Sequence, residues 1–172
     1  MIILGGYSMK FGIICVSDRC FRGECEDKSG PVIAACVSGL SEENAYRLVP
    51  DEKERISAAI TELADDFGAD VVFTTGGTGF APRDVTPEAT KAVIEKDVPG
   101  VSEAIRAKSL AITDRAMLSR AVSGIRGKTL VINLPGSPKA VRESIAVVLP
   151  VLEHAVETLS GNTLNCGGNY GK

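Results

Sequence analysis

Short runs of apolar, largely β-branched residues alternate along this chain with stretches whose apolar positions recur at helical spacing. That alternation constrains the fold more than any other feature, because strands separated by helices pair in parallel and are covered on both faces. FGIICVS at 11–17, DVVFTT at 70–75 and TLVINL at 129–134 read as buried strands, and 44–49 as a weaker one ending at Pro50. Ser29 is placed to cap a helix over 31–40, and Asp51 to cap another, with Glu54 completing a capping-box pattern. That second helix carries Ile56, Ala59, Ile60, Leu63 and Phe67 on one face and stops at Gly68. Thr86 is placed to cap a helix over 87–95, and 101–110 is helical again after the Pro99-Gly100 break. Segments 120–125 and 129–134 flank Arg126-Gly127-Lys128 as a hairpin. A last helix bears Val141, Ile145, Val148, Leu152, Val156 and Leu159 in one stripe, with Pro150 expected to kink it. The expected fold is α/β, a three-layer αβα sandwich around a mostly parallel sheet with a short antiparallel piece. It is expected as a single domain over 1–172, with a core over 9–159 and a mobile, Gly/Asn-rich tail over 160–172.

Ligands of such folds bind outside the carboxyl ends of the strands. After the first strand stand Ser17, Asp18 and Arg19; after the second, Pro50, Asp51 and Glu52. After the third come Thr74, Thr75, Gly76, Gly77, Thr78 and Gly79, then Pro82, Arg83 and Asp84; after the last come Asn133, Leu134, Pro135, Gly136, Ser137, Pro138 and Lys139. Every polar or glycine cluster therefore falls on one sheet edge. The 76–79 loop has no bulky side chain to keep a ligand from its amides, so it reads as an anion-binding concavity or as a tight turn and nothing more. It is neither a Walker A loop nor a dinucleotide fingerprint. The 135–139 segment opens a helix whose free amides and dipole favour an anion, with Lys139 adding a cation; its alternative is a capping loop with a solvated lysine. Two or three of Asp18, Asp51 and Asp84 facing a triphosphate would hold Mg²⁺, the alternative for each being a cap or turn aspartate. Arg83 either neutralises a phosphate or lies in solvent, and Ser17 either donates to a ligand or ends its strand.

The net charge of −3 and pI near 5.3 provide no field for a nucleic acid backbone or an anionic membrane, so neither is expected as a partner. A phosphorylated ligand must then be met by local cations, helix ends or a metal. Five cysteines without CxxC spacing argue against a disulfide framework, and Cys15 reads as a small buried hydrophobe. The single histidine, His154, sits in the last helix, which leaves no Ser-His-Asp triad and no His-rich zinc site. Met1 to Leu4 is too short for a signal segment and no apolar run reaches membrane-span length, so the expected location is cytoplasmic.

Four blocks, in order, carry a family resemblance: VSDR at 16–19 with DKSG at 27–30, PDE at 50–52, TTGGTG at 74–79 with PRDVTPEAT at 82–90, and GKTLVINLPGSPKA at 127–140. Together they resemble the MogA/MoaB family of molybdenum-cofactor biosynthesis, and the 84–90 run is closer to its molybdopterin adenylyltransferase branch, which includes the gephyrin G domain. The resemblance implies a homotrimeric enzyme that transfers AMP from ATP to molybdopterin with Mg²⁺ and releases pyrophosphate, with transient contacts to other molybdenum-cofactor enzymes. It places the two functionally important aspartates at Asp51 and Asp84, here read as catalytic and metal-holding. Nucleotide and pterin phosphates would then lie on Ser17, Asp18, Thr75, Gly76, Gly77, Thr78, Gly79, Pro135, Gly136, Ser137 and Lys139. The alternatives are a MoaB-like molybdopterin-binding protein without turnover, a generic sheet-edge phosphate enzyme, and a gephyrin-like scaffold. The missing GxGxxG after the first strand disfavours a dinucleotide site, and the lack of a second domain in this chain disfavours a scaffold.

Overall fold

The run from Phe11 to Val16 contains no charged residue because it lies in the middle of a sheet with helices on both sides. In a computed structural model that describes residues 8–161, this run is part of β1 (Met9–Val16). It is followed by a single turn, α1 (Asp18–Phe21), then α2 (Ser29–Val37), β2 (Ser41–Val49), α3 (Lys53–Thr61, extended by a π turn over Glu62–Asp66) and β3 (Val71–Thr75). Next come α4 (Thr86–Lys91), β4 (Lys96–Asp97), α5 (Pro99–Leu110), a 3₁₀ turn over Asp114–Leu118, β5 (Ser123–Arg126), β6 (Thr129–Leu134) and α6 (Pro138–Ser160). The strand order is β2-β1-β3-β6-β5-β4, with β2, β1, β3 and β6 parallel and β5 and β4 antiparallel to their neighbours. This is the expected α/β sandwich with a short antiparallel piece.

Register decides where the site lies. Val16 pairs with Val49, Cys15 with Thr75, and Thr75 with Leu134, so the four parallel strands end level and their loops emerge side by side. Alternate residues then build two cores. Phe11, Ile13, Phe73, Ile132 and Leu134 pack with Ile33, Ile105, Val141, Ile145 and Leu152 of α2, α5 and α6, and the Phe11 and Phe73 rings stack at 6.1 Å. Ile14, Val72 and Val131 pack on the other face with Ile56, Ile60 and Leu63 of α3 and Ala89 of α4. The expected stripe on α6 is buried at Val141, Ile145, Val148, Leu152 and Val156, half-buried at Leu159, and the helix runs through Pro150 without a break.

Several local expectations are corrected. Ser29 does not cap α2: the Asp27 carboxylate accepts from the Ser29 and Gly30 amides at 2.8 and 3.0 Å, and Ser29 Oγ turns away to donate to Gly136 O at 2.8 Å. Asp51 does not cap α3, which begins at Lys53 with Glu52 at its N-cap and no side-chain cap. Thr86 lies inside α4, whose N-cap is Val85, and its Oγ1 donates to Gly76 O at 2.9 Å. The hairpin strand starts at Ser123 rather than at 120, and its turn is Gly127-Lys128. α1, the two-residue β4, the π turn and the 3₁₀ turn were not foreseen, each being too short to impose a period on the sequence. Cys15 is buried, Cys15, Cys20, Cys25 and Cys36 are free, and His154 is an exposed helix residue. Among the described residues no helix is long and apolar enough to cross a membrane. The expected mobile tail falls almost wholly outside the described residues.

Candidate active site at the carboxyl edge of the sheet

The loop after β3 is held against its neighbours by backbone contacts that only glycine permits. Gly76 has φ +100°, and a Cβ there would stand 2.3 Å from the carbonyl oxygen of Val16 at the end of β1. Gly136 lies on the other side, its own Cβ direction 3.5 Å from Gly76 Cα. Thr75 ties the two loops together by donating from Oγ1 to Pro135 O at 2.7 Å, and Thr86 ties the loop to α4 through Oγ1 to Gly76 O and its amide to Gly77 O at 3.1 Å.

The aspartates expected to act there do meet this loop. Asp51 Oδ1 lies 3.1 Å from the Cβ position of Gly77, and Asp84 Oδ2 lies 2.9 Å from that of Gly79. Asp51 is fixed by a reciprocal pair with the first loop: the Asp18 amide donates to Asp51 Oδ2 at 2.8 Å, and the Asp51 amide donates to Asp18 Oδ1 at 3.0 Å. Arg83 grips Asp18 with two bonds, Nε to Oδ2 at 2.9 Å and Nη2 to Oδ1 at 2.8 Å. The loops after β1, β2 and β3 are thus joined around one acidic corner.

Its electrostatics follow from burial and count. Burial raises the pKa of Asp51 above the usual carboxylate value, and the charges of Asp18 and Asp84 add to that; the Asp18 amide and Arg83 oppose it. Asp18, held by Arg83, is lowered instead. Asp18 is paired with Arg83, whereas the Asp51 carboxylate has no cation bonded to it among the described residues. No group of three or more His, Cys, Asp or Glu suited to a metal occurs among the described residues.

A cleft opens on each side of the ridge formed by the loops after β3 and β6. One, of about 320 Å³, is bordered by Ser17, Asp27, Lys28, Thr75, Gly76 and Gly136. The other, of about 260 Å³, is bordered by Thr78, Gly79, Arg106, Ser109, Asn133 and Pro135. Of the expected site residues, Ser17 accepts from the Cys20 amide as the cap of α1, and Ser137 caps α6 by accepting from Ala140. Asp18, Asp51, Gly77, Asp84, Ser137 and Lys139 line neither cleft, and the Lys139 side chain is 81% exposed with its ammonium 3.9 Å from Glu143. Sequence reading missed Arg106 and Arg120, and gave no role to Asp27, Lys28 or Asn133 although all three stand in the blocks that carry the family resemblance. Asn133 is fully buried and its Nδ2 donates to Thr74 and Thr90 at 2.9 and 2.8 Å.

A family profile described as a probable molybdopterin binding domain matches residues 12–154. The molybdopterin adenylyltransferase of Helicobacter pylori strain J99 is 42% identical over 158 residues, which cover 90% of each chain. That of Escherichia coli K12 is 41% identical over 141 residues, covering 80% of this chain and 72% of the other. The crystal structure of the molybdopterin biosynthesis enzyme MoaB from Thermus thermophilus superposes with a TM-score of 0.82 at 46% identity, over 89% of this chain and 97% of that one.

Proposed function

The chain belongs to the family of probable molybdopterin binding domains, and from that premise we propose that it is a molybdopterin adenylyltransferase, transferring AMP from ATP to molybdopterin and releasing pyrophosphate. Relatives above 40% identity over most of the chain bear that name. The observation that carries the reading is the seating of Asp51 and Asp84 on the same glycine loop, which borders one cleft at Thr75 and Gly76 and the other at Thr78 and Gly79.

The terminal phosphate of molybdopterin is already anionic at neutral pH and is a competent nucleophile without a strong base. Its oxygen bonds to the α-phosphorus of ATP while the bond from that phosphorus to the bridging oxygen breaks, and the electron pair leaves with pyrophosphate. Such a step depends on alignment and charge neutralisation. The loop after β3 and the amino end of α6 offer amides to the phosphates, and the two clefts give each substrate its own side of the ridge. Asp51 and Asp84 fit a Mg²⁺ site, since Mg²⁺ takes one or two carboxylates and completes its shell with water and phosphate oxygens. When bound, the cation offsets the charge that develops on the polyphosphate. We assign this role to the whole chain as one domain, and from the family resemblance we further propose a homotrimer in the cytoplasm in transient contact with other molybdenum-cofactor enzymes; light scattering tests the trimer.

Mass spectrometry of a mixture of the protein, ATP, Mg²⁺ and molybdopterin is expected to show adenylyl-molybdopterin, with pyrophosphate formed in equal amount. Binding of molybdopterin with no adenylyl product would instead support the MoaB-like reading. Asp84→Ala is expected to lose about 10²-fold or more in rate, roughly 3 kcal/mol of barrier; near-full adenylation with bound ATP would refute its role.

A further inference from the structure

The loop that carries Asp84 is exposed at Phe80, Ala81, Pro82 and Arg83. Its only internal bonds join Ala81 and Asp84: the Ala81 amide donates to Asp84 Oδ2 at 2.9 Å, and the Asp84 amide to Ala81 O at 2.8 Å. A loop with so little buried backbone opens readily unless something outside it holds its ends. Arg83, within the loop, is tied to Asp18 by two bonds, and the loop's two ends are held by one further side chain. Arg120, between the 3₁₀ turn and β5, donates from Nε to Gly79 O at 2.7 Å, from Nη2 to Asp84 O, and from Nη1 to the Glu88 carboxylate on α4. Its own amide donates to Thr78 O at 2.9 Å.

We propose that Arg120 is a positioning residue for the transfer reaction: its guanidinium pins both ends of the 79–84 loop and so fixes the Asp84 carboxylate against the glycine loop. The proposal rests on the AMP-transfer reading of this site. The chemistry of the side chain favours it. Three nitrogens of one planar fork each serve a different partner, on Gly79, Asp84 and Glu88, whereas a lysine keeps the charge but concentrates its donors at a single point. Arg120 and Asp84 both lie outside the linings of the two clefts; Arg120 acts by setting where the Asp84 carboxylate stands on the glycine loop.

The test uses Arg120→Lys in the full chain. Hydrogen exchange at the Ala81 and Asp84 amides is expected to rise by about tenfold or more, in line with local opening. The value of kcat is expected to fall about 10–100-fold, as when groups that orient a ligand-holding residue are lost. KM for ATP and for molybdopterin is expected to stay within about threefold, because substrate contacts are intact. Arg120→Lys combined with Asp84→Asn is expected to be no slower than Asp84→Asn alone, since both act on one element. Unchanged exchange, a raised KM at constant kcat, or losses that multiply in the double variant would each overturn the proposal. If Arg120→Lys fails to fold, Arg120→Gln is assayed with and without added guanidinium ion; recovery of kcat and exchange protection supports the proposal, and no recovery overturns it. The exchange measurement needs no substrate, so it stands or falls separately from the AMP-transfer reading, which fails if the unaltered chain makes no adenylyl product.

Discussion

Gly76→Ala isolates the contact on which the site geometry depends. Gly76 has φ +100°, and its added Cβ would lie 2.3 Å from Val16 O and 3.4 Å from Val16 C. The obstacle is backbone at the end of β1, paired between β2 and β3, so it cannot rotate aside as a side chain would. Reaching an ordinary contact means opening the gap by about 1 Å in a close-packed region. The left-handed strain costs about 1–2 kcal/mol, and the overpacking roughly 1–3 kcal/mol. Restricting the unfolded chain returns about 0.4–1 kcal/mol, which leaves a net loss of roughly 2–4 kcal/mol. For a chain of this size each kcal/mol moves the melting midpoint by about 2–4 °C, so the expected fall is roughly 5–15 °C. Two controls separate the terms. Gly68→Ala has φ +71° and nothing within 4 Å of the new Cβ, so it carries the strain alone and should fall by only about 2–4 °C. Gly39→Ala meets nothing and has no positive φ, so it should be neutral or slightly stabilising. Scanning calorimetry of the three variants decides the matter. A Gly76→Ala midpoint no lower than that of Gly68→Ala would refute the claim that the loop after β3 is pressed against the end of β1.

Asp51→Asn should be more stable than the unaltered chain at pH 7 while losing adenylation. The folded state holds this carboxyl above its ordinary pKa, so its contribution to stability is greatest when it is protonated and declines as pH rises through its titration; a melting midpoint that drops at pH 7 and is unchanged at pH 3 would contradict this. Asn133→Ala should lower the urea midpoint by an amount equivalent to about 2–4 kcal/mol at unchanged m, because it leaves the buried hydroxyls of Thr74 and Thr90 and the Val122 amide short of a partner. Cys15 should resist iodoacetamide in the native protein, since burial first and the nearby Asp27 second raise its thiol pKa; labelling at the rate seen in denaturant, read by peptide mass spectrometry, would show that the sheet edge opens.

Much of the architecture was legible in the sequence because it depends on features that repeat. The runs at 11–17, 70–75 and 129–134 are apolar along their length since both faces are covered, and the α6 stripe shows helical spacing since one face is buried. From those alone it follows that the loops after the strands share an edge. Elements without a period left no mark: β4 is two residues long and α1 a single turn. Direction was not legible either. Lys139 stands beside the glycine turn in sequence, yet its side chain extends into solvent toward Glu143. Arg120 reaches Gly79 across 41 positions of sequence, and no local pattern reveals such a reach.

The misread caps share one cause. Ser29, Asp51 and Thr86 each stand where a capping residue belongs, at the start of a helix that follows this sheet edge. Local rules assign their oxygens to the amides two or three residues ahead. In the folded chain each side chain instead bonds across to a different loop: Ser29 to Gly136, Asp51 to the Asp18 amide, Thr86 to Gly76. α3 and α4 then start without a side-chain cap, at a cost of about 1 kcal/mol each by the usual effect of losing one. A chain selected only for helix stability would use those oxygens locally. Their diversion to one place, where the glycine loop and the acidic corner meet, is what is expected when local preference yields to the geometry of a site. Thr86→Val tests the trade directly. It removes no cap, so helix propensity is nearly unchanged, but it frees Gly76 O and should cost about 1–3 kcal/mol for an unpaired carbonyl. Adenylation should fall with it. A Thr86→Val variant with unchanged stability and full activity would mean that the bond to Gly76 contributes nothing to holding the loop.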